Sequence, residues 1–118
     1  MRYFSQQTEN ALPQEMREVL EKYFPTNDYG VGLVANNAKE DIDLISIDRC
    51  KDECDGGTTW THYANLQRTD KNGWEINEQF KGDREDEMWI YGIYSSFGRA
   101  VRNLATQGTA NRKPIQIY

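Results

Sequence analysis

The chain is short of the residues that do most chemistry. It has one histidine, His62, in 118 residues, with two cysteines and three prolines. A single histidine leaves little for a hydrolase triad to draw on, and no serine sits in a nucleophile elbow. No phosphate-cradling loop is present: the glycines Gly30, Gly32, Gly56 and Gly57 fit neither a P-loop nor a dinucleotide fingerprint. The longest apolar stretches are a handful of residues, such as Met88 to Tyr91. Nothing of that length crosses a bilayer as a helix. The opening residues lack an apolar run and a small-residue cleavage site, so no signal peptide is expected and the cytoplasm is the expected compartment. Two cysteines allow at most one disulfide, and that compartment predicts free thiols.

What is present is acid and aromatic. The net charge is −5, and 14 residues are Phe, Trp or Tyr. A chain this rich in aromatics folds rather than staying disordered. Its length is that of one domain, 1–118. Between Glu40 and Gly57 seven acids (Glu40, Asp41, Asp43, Asp48, Asp52, Glu53, Asp55) face only Arg49 and Lys51. A second acidic cluster holds Asp83, Glu85, Asp86 and Glu87 around Arg84. From Met88 onward there is no acid, and Arg99, Arg102, Arg112 and Lys113 follow. Direct binding to a phosphate backbone needs a clustered basic surface, which the acidic majority opposes.

The pattern predicts an α+β fold. Leu12, Met16, Val19, Leu20 and Tyr23 recur at helical spacing, with Glu15, Arg17, Glu18, Glu21 and Lys22 on the other side. The spacing predicts a helix over about 12–24, capped by Asn10, with Pro13 in its first turn and Pro25 ending it. Before it, residues 1–9 read as a loose arm or edge strand. Strands are predicted at 29–35 and 42–48, with a turn at Asn36-Asn37. In 58–69, Trp60, His62, Ala64 and Leu66 alternate onto one face. Asn72-Gly73 then signals a hairpin with both turn residues at positive φ, returning as a strand over 74–80. Glu87 to Gly108 reads either as one helix with Gly92 and Gly98 inside it, each costing about 1 kcal/mol against alanine, or, as preferred here, as a buried strand over Met88 to Tyr94 followed by a helix. Phe97, Ala100, Val101, Leu104 and Ala105 continue as a helix capped by Ser95 or Ser96 and ended by Gly108. Pro114 to Tyr118 adds a short edge strand. The expected architecture is an antiparallel sheet of about five strands, with an N-terminal and a C-terminal helix packed on one face.

Several constellations invite chemistry. Cys50, Cys54 and His62 supply zinc-type ligands, but a structural site takes four and the second pair is missing. The same Cys and His would make a thiolate nucleophile, yet Asp52, Glu53 and Asp55 surround Cys54 and disfavour thiolate. The acidic run from Asp48 fails the calcium-loop pattern, with Cys50 and Glu53 where oxygen ligand and glycine belong. No metal or cofactor is therefore expected. The metal- or thiol-dependent module centred on Cys50, Cys54 and His62 stands as the alternative.

Two helices cannot cover both faces of such a sheet, so some of its aromatics are expected on an open face, where Trp and Tyr form contact hot spots. The leading expectation is a non-catalytic acidic protein-binding module, an inhibitor, immunity or adaptor protein. Its partner is a protein with a basic surface, engaged by electrostatic complementarity or by mimicry of nucleic acid. Mobile-element and phage accessory proteins of this size often work so, by analogy. The contact residues expected are Asp41, Asp43, Asp48, Asp52, Glu53, Asp55, Asp83, Glu85 and Asp86, with Trp60, Tyr63 and Trp74. Neither nucleic acid nor membrane is expected as a direct ligand.

Overall fold

A computed structural model describes residues 1–50, 59–79, 87–109 and 113–116. The chain runs β1 (Arg2–Tyr3), α1 (Gln6–Ala11), α2 (Gln14–Tyr23), β2 (Tyr29–Asn36), β3 (Ile42–Cys50), β4 (Trp60–Arg68), β5 (Trp74–Gln79), β6 (Glu87–Tyr94), α3 (Phe97–Gln107) and β7 (Lys113–Gln116). The seven strands lie in sequence order in one sheet. β1 pairs parallel to β2, and every later neighbour is antiparallel. The architecture is thus α+β with a mixed sheet, larger than the antiparallel five strands expected by its two edges.

The helix predicted over 12–24 is α2, and a further helix, α1, precedes it where a loose arm or edge strand was expected; Asn10, the expected cap, lies inside α1. Leu12 is extended at φ −90°, ψ 126° and Pro13 begins α2 as its N-cap. The proline ring forces the residue before it out of the helical region, which separates α1 from α2. α1 is all polar apart from Ala11 and buries nothing; it starts where the Ser5 side chain accepts from the Thr8 amide. That leaves no apolar periodicity for a sequence reading to find. At the other end, α3 starts at Ser96, whose hydroxyl accepts from the Arg99 amide, and stops at Gly108 with φ 62°.

The core lies between α2, α3 and one face of the sheet. Leu20 of α2 and Ala100, Val101 and Leu104 of α3 share one buried cluster with Val31, Ile45, Ile47, Ala64, Leu66, Trp74 and Ile76. Each fully buried Leu or Ile contributes about 1.5–3 kcal/mol relative to exposure. That burial drives both helices onto the same sheet face.

Four bulges re-aim the side chains, one of them in β3, where Ala35 pairs with Leu44 but Asn36 with Ile42, so Asp43 is the extra residue. In β2, Val31 pairs with Ile47 and Leu33 with Ser46, so Gly32 is the extra residue. In β4, Ile47 pairs with Ala64 but Asp48 with His62, so Tyr63 is extra. In β6, Ile76 pairs with Gly92 but Asn77 with Ile90, so Tyr91 is extra. A bulge moves the residues beyond it to the opposite face of a simple alternation. His62 therefore does not share a face with Ala64 and Leu66, as the bare alternation predicted. The proof is its bond to Ser46, whose neighbours Ile45 and Ile47 both point into the core.

The two tight hairpins lie at one end of the sheet and have the same build. Asn37–Asp41 and Thr69–Gly73 each open with a side chain that accepts backbone N–H groups: Asn37 Oδ1 from Lys39 and Asp41, Thr69 Oγ1 from Gly73. Each carries its fourth residue at positive φ, Glu40 at 63° and Asn72 at 61°. Gly73 is not at positive φ, so the hairpin forms at the predicted place with a longer turn than the two-residue type expected.

Candidate functional site

The face of the sheet opposite α2 and α3 carries neither of those helices, with α1 alongside β2, where Gln7, Thr8 and Ala11 line a pocket with Leu33, and the register fixes what that face presents. One row runs Leu33, Ser46, Asn65, Asn77 across β2 to β5. The next runs Ala35, Leu44, Gln67, Glu75, Ile93 across β2 to β6. The first row is polar after Leu33, and the second is polar at Gln67 and Glu75 between Ala35 and Leu44 on one side and Ile93 on the other. Leu33 is 52% exposed and Ile93 62%, unusual for side chains of that size.

The polar middle is a bonded ladder. Asn77, only 1% exposed, accepts from Asn65 Nδ2 at 3.2 Å. Its own Nδ2 donates to Gln67 Oε1 at 2.9 Å and Glu75 Oε2 at 2.6 Å. A buried amide must be satisfied, and this one is satisfied wholly by neighbours on the same face. The network holds the Glu75 carboxylate in place and leaves its second oxygen, Oε1, without a partner among the described residues.

Toward the other end of the face stands the one group that looks catalytic. His62 Nδ1 lies 3.0 Å from Ser46 Oγ and 3.6 Å from Asp48 Oδ1. A Ser–His–Asp relay needs the serine on one ring nitrogen and the carboxylate on the other. Here both meet Nδ1, so the carboxylate is not placed on the ring nitrogen opposite the serine, from which it would fix the tautomer that takes the serine proton. Asp48 leans over Gly32, where a Cβ would collide with its carboxylate. Burial raises the Asp48 pKa above its ordinary value, and the neighbouring His62 works in the opposite direction. No sequence pattern points to this trio, because Ser46 and His62 come together only through the β3–β4 register.

The expected contact residues do not form one patch. Asp41 and Asp43 line a polar pocket at the hairpin end together with Lys39 and Arg68, so cations of the same chain stand beside them. Asp48 is half-buried against His62 in mid-sheet. Trp74 is 3% exposed, edge-on to Phe97 with the Arg68 guanidinium 4.7 Å from its ring. It is core rather than contact surface, because the hydrophobic area of an indole is best satisfied under α3. Tyr63, the bulge residue, points to the helix side against Tyr29, with its hydroxyl close to Gly108 and burial raising its pKa. Trp60 is half-buried, edge-on to Phe4 at 4.8 Å, and Arg2 sits 5.6 Å from both rings. Asp52, Glu53, Asp55, Asp83, Glu85 and Asp86 lie outside the described residues.

Cys50 corrects the expectation of free thiols: it is disulfide-bonded and buried. A sulfur in a disulfide is neither a thiolate ligand nor a nucleophile. The chain's only other cysteine, Cys54, lies outside the described residues. No group of three His, Cys, Asp or Glu side chains suited to a metal ion occurs among the described residues, and none of the described helices is long and apolar enough to cross a membrane.

The arginines of the central strands share one face, while carboxylates lie on both: Glu78 alternates with Glu75 along β5 and accepts from the hydroxyl of Tyr91, which packs against the core. In β2 to β5 the arginines are Arg49 and Arg68, and both turn to the helix side. Arg49 lies over the rings of Tyr29 and Tyr63, Arg68 over Trp74. The opposite face keeps the carboxylates of Asp48 and Glu75. The only lysine or arginine placed by a ring contact there is Arg2, at its corner.

Comparison with known proteins leaves the reading to this geometry: no family model, no curated protein and no solved structure matches the chain.

Proposed function

We propose that the chain is a non-catalytic acidic binding module, an inhibitor, immunity or adaptor protein, that docks on the basic surface of a partner protein through the face of its sheet opposite α2 and α3. The observation that carries this is that Asp48 and Glu75 stand on the open face while Arg49 and Arg68, the two arginines of β2 to β5, fold against aromatics on the helix side. A polar centre between exposed Leu33 and Ile93 supports the same reading. Contact surfaces combine apolar anchors with placed polar groups, and complementary charge speeds encounter. The Ser46–Asp48–His62 trio supports no relay, and a disulfide at Cys50 removes the basis of the metal- or thiol-dependent alternative.

The test uses an oligoarginine peptide as the basic probe and an oligoglutamate peptide as its opposite. Binding is measured by calorimetry at low and high salt. The expected result is binding of the basic probe alone, weakening as salt rises, because exposed charges are screened beyond a Debye length. Indifference to both the sign of the probe and the salt would remove the electrostatic reading.

A further inference from the structure

Between the Thr69–Gly73 turn and the end of β6 the face opposite α2 and α3 dips into an open notch. Glu75, Asp70 and Ile93 line it, with Tyr94 at its end and Lys71 on its rim. Its parts differ in kind. Ile93 supplies an apolar floor, 62% exposed in a strand whose register partner is Glu75. Glu75 supplies a carboxylate whose direction is fixed by the 2.6 Å bond from the buried Asn77 amide to Oε2, leaving Oε1 and the second lone pair of Oε2 for a ligand. Asp70 adds a second acid on the exposed turn.

We infer that this notch is the anchor for an arginine side chain of the partner. The inference rests on the proposed docking role and names its central contact. An arginine has a three-methylene stem and a planar fork of donors. The stem matches the Ile93 floor, since long cationic side chains lay their aliphatic part on apolar surface. The fork matches Glu75, whose carboxylate is held by its neighbour rather than free to rotate. A pre-organised acceptor loses less side-chain freedom on binding. Lysine makes the same charge contact but cannot bridge a carboxylate with two parallel bonds. The notch should therefore prefer arginine to lysine. Lys71 on its rim opposes any cation, and its removal should strengthen binding.

The experiment compares oligoarginine and oligolysine peptides of equal length on the full chain. Calorimetry gives affinity, and backbone amide shifts in NMR give location. Expected are tighter binding of oligoarginine and amide shifts centred on Asp70, Glu75 and Ile93. A loss of roughly ten-fold or more is expected in Glu75→Gln and in Ile93→Ser, the size of a contact hot spot. Lys71→Ala should bind more tightly. Glu75→Gln keeps a carbonyl for Asn77, and Ile93 is exposed, so both variants should retain the wild-type fold by NMR. Asp43→Asn, in the adjoining pocket that shares Thr69 and Asp70 with the notch but whose Asp43 does not line it, should bind as wild type does. If oligoarginine binds with salt sensitivity but Glu75→Gln and Ile93→Ser leave its affinity unchanged, or the shifts fall elsewhere, the notch assignment is wrong while the docking role stands. If neither cationic peptide binds, the docking role itself falls.

Discussion

Glu40 holds φ at 63°, a conformation that places its Cβ against its own backbone. The left-handed region costs an L residue about 1–2 kcal/mol, and glycine avoids that cost while losing about 0.5–1 kcal/mol of chain entropy. Glu40→Gly should therefore stabilise the protein by about 0.5–1 kcal/mol, seen as a higher urea midpoint at unchanged slope. The matching turn already has Asn72 at that position, and asparagine tolerates it better. Tyr3 gives a second residue-scale expectation. Its hydroxyl donates to Glu21 at 3.4 Å, and burial, reinforced by the Glu21 charge, pushes its pKa up to about 12 from 10.0. The folded chain thus keeps a proton that the unfolded chain has released above pH 10. The stability from this group is complete below pH 10 and is lost as pH rises from 10 to about 12. Tyr3→Phe should flatten that decline in urea titrations. A decline of equal steepness in the variant would show that other groups govern it. Neither residue advertises itself in sequence: a glutamate in a polar turn and a tyrosine near the start read as ordinary.

The helices differ in what their caps are worth. Ser5 and Ser96 each satisfy a backbone amide at a helix start, Thr8 and Arg99 respectively. α3 buries Ala100, Val101 and Leu104, whereas α1 buries nothing. Loss of a cap costs about 1 kcal/mol when the helix is coupled to global unfolding. Ser96→Ala should lower global stability by about that amount, while Ser5→Ala should only fray α1, with faster amide exchange confined to 6–11. Equal global losses in the two variants would contradict this division. α3 was legible because its apolar positions recur at helical spacing between a serine and a glycine. α2 was legible too, but its start was misplaced by two residues, because the conformation of Leu12 is dictated by the proline after it. The β3–β4 pairing shows the other limit. Alternation in β4 is plain to read, yet the extra Tyr63 reverses its sense for His62 and Trp60. A one-residue bulge leaves no mark on hydrophobic periodicity when the residue inserted is itself half-buried.

At the scale of the molecule, β3 and β4 lie inside the sheet with partners on both sides, while β1 has two residues and β7 four at the edges. Native-state exchange should be slowest at Ile45, Ile47, Ala64 and Leu66 and fastest at the ladder ends of β1 and β7. Protection follows burial and the number of neighbours that must part. Uniform exchange across the sheet would mean that the chain opens only as a whole. The acidic surplus is also a whole-molecule property, and here the expectation from sequence changes shape. Acids adjacent in the chain, Asp43 and Asp48, go to different places: one to the hairpin-end pocket beside Arg68, the other to mid-sheet beside His62. Trp74 leaves the surface altogether. Glu75, read from sequence as an ordinary surface acid, lies in the notch with Asn77 aiming its carboxylate. The residues by themselves determined the α+β class, the six longest strand and helix segments of the centre and C-terminal half, and the two serine and glycine limits of α3. These follow from interactions between near neighbours: side-chain period, φ preference and capping. Tertiary structure alone decided which face each strand turns to the helices, that Ser46 meets His62, and that Arg49 and Arg68 turn away from the face that holds Asp48 and Glu75. Those outcomes depend on register and bulges, which are set by how distant strands pack a common core, and no local pattern encodes them.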